Sequence, residues 1–376
     1  MTASRIVVFG ATGYTGRLVV ERLVAAGSAP VLAGRDTDRL KQLSQLVGAD
    51  LETVKADVMR QNSVFDLVGP GDVLVSTVGP FVRWGDPAVR AAVAAGQGTV
   101  YIDSTGEPAF IRRVFEEFGG PAEHAGATLM TAMGFDFVPG SLASALALEE
   151  AGDAAVAVRA GYYSLGMGSD AGSAGTKTSL VGAALDAGFA FRSGGIVTER
   201  GAARVRSFPA KGRPRPAVSV AGVEHFVLPA LYPQLRDVDV YLGWAGPLSR
   251  AVQAGSLATS LITRVPGARP VMQRAGERLV SMTGSPDPGT TPGGVSWVVA
   301  EALDAGGVPL SEVHLSGVDA YAFTAGFMAW AALRAASTGT GATGAVGPQQ
   351  AFGLDVLEQG CAEAGLTRVP RPDPAG

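Results

Sequence analysis

The sequence predicts an α/β protein with a Rossmann-type doubly wound parallel sheet, plus an α+β second domain with a mainly antiparallel sheet. The first observation is that short apolar runs alternate with helical patterns over residues 5–134, which is typical of βαβ units. The second is a glycine-rich turn directly after the first apolar run. The third is a change of pattern after about residue 155, where strand-like segments follow one another with few helices between them.

Six strands are predicted in the first domain, each bounded by turn residues or by a helical pattern. The run at 72–79 is almost continuously apolar, as expected for a strand that is buried on both faces. A helix is predicted directly after the glycines, where apolar residues recur at helical spacing up to Gly27. The predicted strands are 5–9, 30–35, 51–58, 72–79, 99–104 and 127–134, and the further helices are 38–47, 88–96 and 111–126.

The middle of the chain is predicted to be built mainly on antiparallel strands, and the end of the chain to be helical. We expect a dinucleotide-binding domain over 1–145, a substrate and dimerisation domain over 146–316, and C-terminal helices over 317–376 that return to the first domain. The predicted elements are strands at 154–164 and 236–244, a hairpin at 193–210, helices at 246–265, 320–336 and 349–364, and loops at 166–179 and 285–294.

Composition excludes several classes of protein. The chain has 376 residues, a net charge of −4 and no Lys/Arg-rich cluster, so a nucleic-acid partner is not expected. Cys361 is the only cysteine, which rules out an intramolecular disulfide and fits a cytoplasmic protein. No apolar run is as long as a membrane span, no signal peptide is recognised, and three widely separated histidines predict no metal site.

The segment "RIVVFGATGYTGRLVV" (5–20) carries a GxxGxxG pattern between a strand and a helix. Gly10 permits the tight turn, Gly13 lets the backbone approach a pyrophosphate, and Gly16 allows close helix–strand packing. The start of the helix then offers N–H groups and partial positive charge to the phosphates. A dinucleotide site is therefore predicted, and its turn residues are Gly10, Thr12, Gly13, Tyr14, Thr15 and Gly16.

The end of the second strand distinguishes NAD from NADP. An NAD site usually has Asp or Glu there, whereas "AGRD" places Gly34 and Arg35 at that point. A guanidinium suits a 2′-phosphate, and Arg39 lies one helical turn further on. Asp36 is interpreted as the cap of the next helix rather than a ribose ligand. The sequence therefore predicts NADP (NADPH), bound by Gly34, Arg35 and Arg39.

The turns after the third and fourth strands complete the predicted cofactor site. Ligands of doubly wound sheets bind at the carboxyl ends of the strands, where the strand order reverses. The segment "STVGPFVRWG" (76–85) follows the fourth strand, and its Gly-Pro pair predicts a rigid turn facing the nicotinamide ribose. The further cofactor-binding residues are Asp57, Val78, Gly79 and Pro80.

Five motifs, "GATGYTG", "AGRD", "VGPF", "YIDSTGE" and "GFDFVPGS", occur in this order over residues 10–141. Their order and spacing resemble those of the saccharopine dehydrogenase-like reductases, and most of all the actinobacterial trans-acting enoyl reductases that serve polyketide synthases. "SAGTKTS" (173–179) is similar to the Ser/Gly/Thr turn of that family. The resemblance implies an NADP-dependent oxidoreductase that reduces an activated C=C bond of a bulky or carrier-bound acyl substrate.

Hydride transfer requires positioning, exclusion of water and one proton donor from the protein. Tyr101 and Asp103 alternate on the fifth strand and so share a face, and Lys177 lies in the Ser/Gly/Thr turn. We select these three as the catalytic candidates. Each also has an ordinary structural explanation: a core tyrosine, a turn-capping acid and a surface lysine. Other candidates are Ser104, Thr105, Glu107, Asp136, Tyr162 and Tyr163, with Asp136 interpreted mainly as a turn acid.

Two other functions stay open. A secondary-amine (C=N) oxidoreductase would need cations near the substrate, and the middle domain has a group of them. A non-catalytic NADP sensor would need only the cofactor site. The apolar stretches 180–191 and 246–263 favour an apolar or acyl substrate, and the antiparallel strands predict a homodimer. The cations are Arg192, Arg200, Arg204, Arg206, Lys211, Arg213 and Arg215.

Overall fold

The computed structural model describes residues 4–166, 187–262 and 294–372, which form two compact units. Unit 1 contains the described residues up to Thr105, with Phe110–Val138 and Tyr321–Gly365. Unit 2 contains Gly106–Ala109, the described part of Pro139–Ala320 and the chain from Leu366. The predicted domain limits of 1–145, 146–316 and 317–376 stay predictions, because compactness alone does not define a domain that folds independently.

Unit 1 is built on a parallel sheet of seven described strands in the order β3-β2-β1-β4-β5-β6-β15. The first six follow the Rossmann order, so the predicted doubly wound sheet is confirmed. The seventh comes from near the C-terminus and pairs with β6 in parallel. The strands are β1 Ile6–Phe9, β2 Val31–Gly34, β3 Thr53–Lys55, β4 Val73–Ser76, β5 Val100–Asp103, β6 Thr128–Met130 and β15 Gly344–Ala345.

Helices connect these strands, as the alternating pattern predicts. The helix predicted at 111–126 is confirmed as a helical region up to Ala125, and it changes to π-helical geometry at Val114–Phe118. The helices of this region are α1 Tyr14–Ala25, α2 Thr37–Leu46, α3 Gln61–Phe65, α4 Phe81–Trp84, α5 Asp86–Ala95, α6 Pro108–Arg113 and α7 Gly119–Ala125.

One row of side chains crosses the centre of this sheet. Val7, Leu74, Tyr101 and Leu129 are register neighbours on β1, β4, β5 and β6. All four are fully buried in one apolar cluster, and burying a side chain of this size contributes about 1.5–3 kcal/mol. Packing of this row fixes the register of the four strands, so that their carboxyl ends lie along one edge of the sheet.

Unit 2 contains a mixed, mainly antiparallel sheet, as predicted. Its main path runs β10-β11-β12-β7-β13-β14-β16, with β8 paired to β12 and β9 to β8. Among the described strands of this second sheet, only β7 and β12 pair in parallel. The strands are β7 Ala157–Leu165, β8 Ala187–Arg192, β9 Gly195–Arg200, β10 Val205–Ala210, β11 Arg213–Val220, β12 Asp237–Leu242, β13 Val295–Leu303, β14 Pro309–Gly317 and β16 Leu366–Val369.

The predicted single hairpin at 193–210 is wrong, because this segment contributes strands to two different hairpins. Ser193 and Gly194 turn between β8 and β9 with φ +49° and +82°, and Lys211 and Gly212 turn between β10 and β11 with φ +52° and +74°. Two consecutive residues with positive φ form the tight turn that favours a two-residue hairpin. The two turns therefore set the pairing, and β9 and β10 are not partners.

The remaining helices are α8 Val138–Ala151, α9 Glu224–Leu231, α10 Ser249–Ile262, α11 Ala320–Thr338, α12 Pro348–Phe352 and α13 Leu354–Glu363. The last two replace the single helix predicted at 349–364, since Gly353 between them has φ +83°. Among the described residues, no helix is long and apolar enough to span a membrane. The loops predicted at 166–179, which includes Lys177, and at 285–294 lie outside the described residues except for residues 166 and 294.

Candidate functional site

Two glycines shape the turn between β1 and α1. Gly10 has φ +87°, and a Cβ built there would lie 2.7 Å from Thr77 Oγ1. A Cβ on Gly16 would lie 2.3 Å from the carbonyl oxygen of Gly10. Because both distances are shorter than van der Waals contact, only glycine allows β1, the turn and α1 to approach this closely. This is the backbone geometry that a dinucleotide cradle requires.

The start of α1 is open to an anion. Its N-cap is Gly13, which has no side chain to cap the helix, and the first turn has no acidic residue. Thr12, Tyr14 and Thr15 are half-buried around it, and the Tyr14 ring packs edge-on against Tyr321 at 5.0 Å. No side chain of the cap or first turn therefore neutralises the partial positive charge of α1, which favours a bound phosphate group.

The turn after β4 packs against the glycine turn. The Thr77 hydroxyl donates to the Gly10 carbonyl over 3.1 Å, and Val78 Cγ2 is 3.0 Å from the position of a Cβ on Gly10. The strand order reverses between β1 and β4, which is where doubly wound folds bind their ligands. Gly79 and Pro80 continue from this point in exposed positions, joined by a cis peptide bond.

Two exposed arginines, Arg35 and Arg39, follow the end of β2, and Asp36 between them already accepts hydrogen bonds. Asp36 Oδ1 accepts the amides of Asp38 and Arg39 at 3.1 Å each, so this carboxylate caps α2 as the sequence analysis expected. Within the described ranges, no side chain forms an ion pair or hydrogen bond with the guanidinium of Arg35 or Arg39. Both guanidinium groups are therefore available to an external anion.

A third cation at this edge was missed by the sequence analysis. Lys55 is the last residue of β3, is exposed, and is the register neighbour of Gly34. None of the described side chains forms an ion pair with it. The signal that identifies it is the pairing of β2 with β3, because the carboxyl ends of adjacent parallel strands share one edge.

Asp57 lies just beyond β3, and it forms hydrogen bonds with residues that follow it in the chain. Its Oδ1 accepts the amide of Met59 at 3.0 Å, and its own amide donates to Ser63 Oγ at 3.0 Å. This arrangement is a short side-chain-stabilised turn. Its predicted contact with the cofactor stays a prediction.

Tyr101 and Asp103 are both fully buried. Asp103 Oδ1 accepts the amides of Thr105 at 2.8 Å and Ala132 at 3.1 Å. Burial raises the pKa of Asp103 to about 6, although these two amides act to lower it. Burial also raises the pKa of Tyr101 well above its ordinary value. Because the amides of Thr105 and Ala132 belong to the segments after β5 and β6, the Asp103 carboxylate joins the two segments. The catalytic roles predicted for Tyr101 and Asp103 stay predictions.

The carboxyl edge of the sheet contains a cluster of buried polar side chains that face one another. They lie on β4, on β5 and just after β6, and Ser76 is the register neighbour of Asp103. The Tyr101 hydroxyl interacts with the Asp103 carboxylate and with Ser76, and Thr131 interacts with Asp103. Among the described residues, Ser76 Oγ, Tyr101 Oη, Asp103 Oδ2 and Thr131 Oγ1 nevertheless form no hydrogen bond of ordinary geometry, which is uncommon for buried polar atoms.

Of the two buried aspartates at this edge, Asp136 has the higher pKa. Burial raises its pKa to about 7, and its Oδ1 is buried without a hydrogen-bond partner among the described residues. The loop is held in place because the preceding amide, of Phe135, donates to Thr324 Oγ1 over 2.9 Å. The sequence analysis favoured a turn acid here, but the structure shows no turn contact made by Oδ1. A carboxyl with this pKa can donate or accept a proton near neutral pH.

β6 is shorter than the strand predicted at 127–134, and the difference shapes this edge. The strand ends at Met130, and Ala132 follows with φ +61°. Its amide is the one that Asp103 accepts, so the carboxylate holds the chain in a conformation that L residues rarely adopt. Asp103 thereby directs the segment that carries Asp136.

Comparison with known proteins confirms the resemblance predicted from the motifs. Residues 10–101 match a family model described as NAD(P)H-binding, so unit 1 contains an NAD(P)H-binding domain. Trans-acting enoyl reductases of Mycobacterium tuberculosis and Mycobacterium leprae are each 37% identical over 142 residues, which cover 36% of this chain and 34% of each relative. The match thus spans about a third of the length of these relatives.

The fold is shared over almost the whole chain with two solved structures. Apo saccharopine dehydrogenase (L-Glu forming) from Saccharomyces cerevisiae superimposes with a TM-score of 0.59 at 13% identity, covering 98% of this chain and 100% of that one. Homospermidine synthase from Legionella pneumophila, solved in complex with NAD, gives a TM-score of 0.58 at 9% identity, covering 97% and 91%. At these identities, the similarity is one of fold.

Proposed function

We propose that this protein is an NADP-dependent reductase that transfers hydride from NADPH to an activated C=C bond of a bulky or carrier-bound acyl substrate. The observation that carries the cofactor choice lies at the end of β2. There the guanidinium groups of Arg35 and Arg39 have no partner among the described residues, and Asp36 caps α2. The substrate class rests on the relatives named enoyl reductases, which match the chain over 142 residues.

The preference for NADP follows from charge. A ribose 2′-hydroxyl needs an acceptor, and the Asp36 carboxylate is held at the start of α2 because its Oδ1 accepts two amides. A 2′-phosphate needs cations, and guanidinium groups bind it through paired charge-assisted hydrogen bonds. Lys55, beside Gly34, adds a further positive charge at the same edge. We therefore assign Gly34, Arg35, Arg39 and Lys55 to the adenosine end of the cofactor.

The glycine turn fits the pyrophosphate of the cofactor. Gly10 and Gly16 let the turn pack closely against the protein, and the start of α1 supplies N–H donors for the phosphates. Val78, Gly79 and Pro80 follow at the point where the strand order reverses, which supports a contact with the nicotinamide half. Asp57 is kept as a contact of the adenosine half.

The chemistry then requires one proton from the chain. NADPH, when bound, supplies a hydride to one carbon of the double bond, and the other carbon must gain a proton. Asp136 is our candidate donor, because a carboxyl with a pKa of about 7 is half protonated at neutral pH. Tyr101 and Asp103 act as positioning residues in this proposal, and Lys177 remains a predicted substrate contact.

We further propose that the protein acts in the cytoplasm as a homodimer. The single cysteine, which is buried, suits a reducing compartment. The second sheet offers antiparallel strands that could continue across a two-fold axis. Light scattering at two protein concentrations tests the dimer, which is excluded if the mass stays that of one 38.2 kDa chain.

Two measurements test the function as a whole. Fluorescence titration should give tighter binding of NADPH than of NADH, and absence of binding to either would reject the proposal. NADPH oxidation should then occur with α,β-unsaturated acyl thioesters. Oxidation with pairs of an amine and a keto acid instead would establish the alternative C=N reductase. Tight cofactor binding without turnover of either substrate class would establish the non-catalytic sensor.

A further inference from the structure

Helix α10 of unit 2 turns polar side chains towards the protein. Ser249, Gln253 and Ser256 lie four and three residues apart, so they share one side of the helix. Gln253 Nε2 donates to the carbonyl oxygen of Ala203 over 2.8 Å, and Ser256 Oγ donates to that of Gly201. α10 therefore lies against β9, β10 and β11 through its polar side and is held there by hydrogen bonds.

The rest of α10 is apolar and faces solvent. Apart from the residues of the polar side, all residues from 250 to 258 are exposed, and all but Arg250 are Ala, Gly, Val or Leu. A helix on the surface of a folded protein ordinarily exposes its polar side, so the arrangement here is the reverse of the usual one. Exposed apolar residues that lie together mark interaction sites. The α10 face, which includes the chain that leads into the helix, has five large side chains that are each at least 37% exposed: Trp244, Leu248, Val252, Leu257 and Ile262.

The surface that adjoins the α10 face is positively charged. The short helical turn Gly246–Leu248, directly before α10, lies against β11. Lys211 and Arg213, at the turn into β11, are exposed, as is Arg250 at the start of α10. Among the described residues, none of these three side chains forms an ion pair. They therefore present their charge to whatever contacts this surface.

No acidic residue of the same segments offsets this charge. Residues 201–222 and 243–262 contain no Asp or Glu. Glu199 on β9 and Glu301 on β13 are each ion-paired with an arginine of the 201–222 segment. The region is therefore basic, although the whole chain has a net charge of −4.

We propose that the α10 face binds the surface of a lipid bilayer that contains anionic lipids. Trp and long aliphatic side chains on one side of a helix, next to Lys and Arg, are the pattern of helices that lie at the boundary between lipid headgroups and acyl chains. Lys211, Arg213 and Arg250 attract the anionic headgroups, and Trp244 lies at headgroup level. The proposal does not rest on the reductase function.

A second copy of the chain fits this face less well. A two-fold dimer buries the same patch on both subunits, which here brings two sets of unpaired cations together with no carboxylate of these segments between them. An anionic bilayer instead supplies the opposite charge over the whole contact. Charge complementarity therefore favours the lipid surface.

Vesicle sedimentation with the full chain tests the proposal. We expect the protein to bind vesicles of equal parts phosphatidylglycerol and phosphatidylcholine, to bind phosphatidylcholine alone at least about tenfold more weakly, and to be released by high salt. Trp244 is the most exposed of the four tryptophans, so tryptophan emission should shift to shorter wavelength on binding, and Trp244→Phe should abolish the shift. Absence of binding to the anionic vesicles, or a shift that persists in Trp244→Phe, would overturn the proposal.

Leu257→Glu is the decisive variant, because Leu257 is 49% exposed and its replacement should not unfold the chain. It should weaken vesicle binding at least about tenfold, since an apolar contact with the acyl chains is lost and a negative charge is added. Leu46→Glu is the matched control, since Leu46 is 62% exposed on α2 of unit 1, and it should leave binding unchanged. Equal losses in both variants would overturn the proposal. So would a fall in mass from dimer to monomer in light scattering of Leu257→Glu, which would assign the face to a second copy of the chain.

Discussion

The hydroxyl of Thr77 donates a hydrogen bond to the carbonyl oxygen of Gly10 over 3.1 Å, and thereby joins the turn after β4 to the turn after β1. The same Gly10 carbonyl accepts the amide of Gly13 at 2.9 Å. A single oxygen thus holds the glycine turn and the neighbouring loop in one arrangement. The predicted cofactor residues of both segments depend on it.

Gly16→Ala should disrupt this arrangement, because the added Cβ would lie 2.3 Å from the Gly10 carbonyl oxygen. Overpacking of this kind costs about 1–3 kcal/mol, and we expect NADPH binding to be weakened correspondingly in a fluorescence titration. Gly120→Ala is the matched control, since nothing lies within 4 Å of a Cβ there. Unchanged NADPH affinity in Gly16→Ala would remove the glycine turn from the cofactor site.

Arg35→Ala should weaken binding of NADPH and leave binding of NADH nearly unchanged. A hydrogen bond to a charged group contributes about 1.5–3 kcal/mol, which corresponds to roughly 10- to 150-fold in Kd. Lys55→Ala should act in the same direction with a smaller effect, because an ammonium binds phosphate as a single point charge. Arg22→Ala, an exposed arginine on α1, is the control. Equal losses for NADPH and NADH would contradict the assignment of Arg35 to the 2′-phosphate.

Asp103→Ala and Tyr101→Phe separate a positioning role from a catalytic one. Asp103→Ala leaves the amides of Thr105 and Ala132 without their acceptor, and should lower the free energy of unfolding by about 1–3 kcal/mol. Tyr101→Phe removes a buried hydroxyl that interacts with Asp103 and Ser76, and should lower stability slightly while it preserves turnover. Denaturant unfolding and NADPH oxidation measure the two effects. Loss of turnover in a stable Tyr101→Phe variant would restore Tyr101 as a catalytic residue.

The sequence predicted the features that local patterns determine. The glycine turn could be predicted because its spacing and its flanking strand and helix all lie within residues 5–20. Lys55 could not be selected from its own surroundings, because a lysine at the end of a strand is usually a solvated charge. Its position became informative only when β3 was paired with β2.

Long-range contacts explain most of what the sequence could not predict. The loop that carries Asp136 is fixed by Thr324, which lies nearly two hundred residues further along the chain. Two short turns, each with one glycine, decide that β9 and β10 belong to different hairpins. The arginine-rich segment therefore folds so that Arg192 and Arg204 meet at Asp239, an arrangement that residue spacing alone does not encode.

Asp136 gives a prediction about pH. Its pKa of about 7 in the folded chain lies above the ordinary aspartate value of 3.8, so the folded state binds the proton more tightly than the unfolded state does. The stability contributed by this proton is fully present below about pH 4 and is lost as the pH rises through about 7. Asp136→Asn should therefore raise the unfolding temperature at pH 8 and change it little at pH 4, because the amide never acquires the buried charge.

The same titration should govern turnover. If the protonated carboxyl of Asp136 supplies the proton, the rate of NADPH oxidation should fall as the pH rises through about 7. Asp136→Asn should lower kcat by about 10²–10⁴-fold and abolish this pH dependence, with NADPH affinity unchanged. Asp66→Asn, at an exposed residue directly after α3, is a control that removes a carboxylate outside the proposed site. A pH profile that survives in Asp136→Asn would assign the proton to another group.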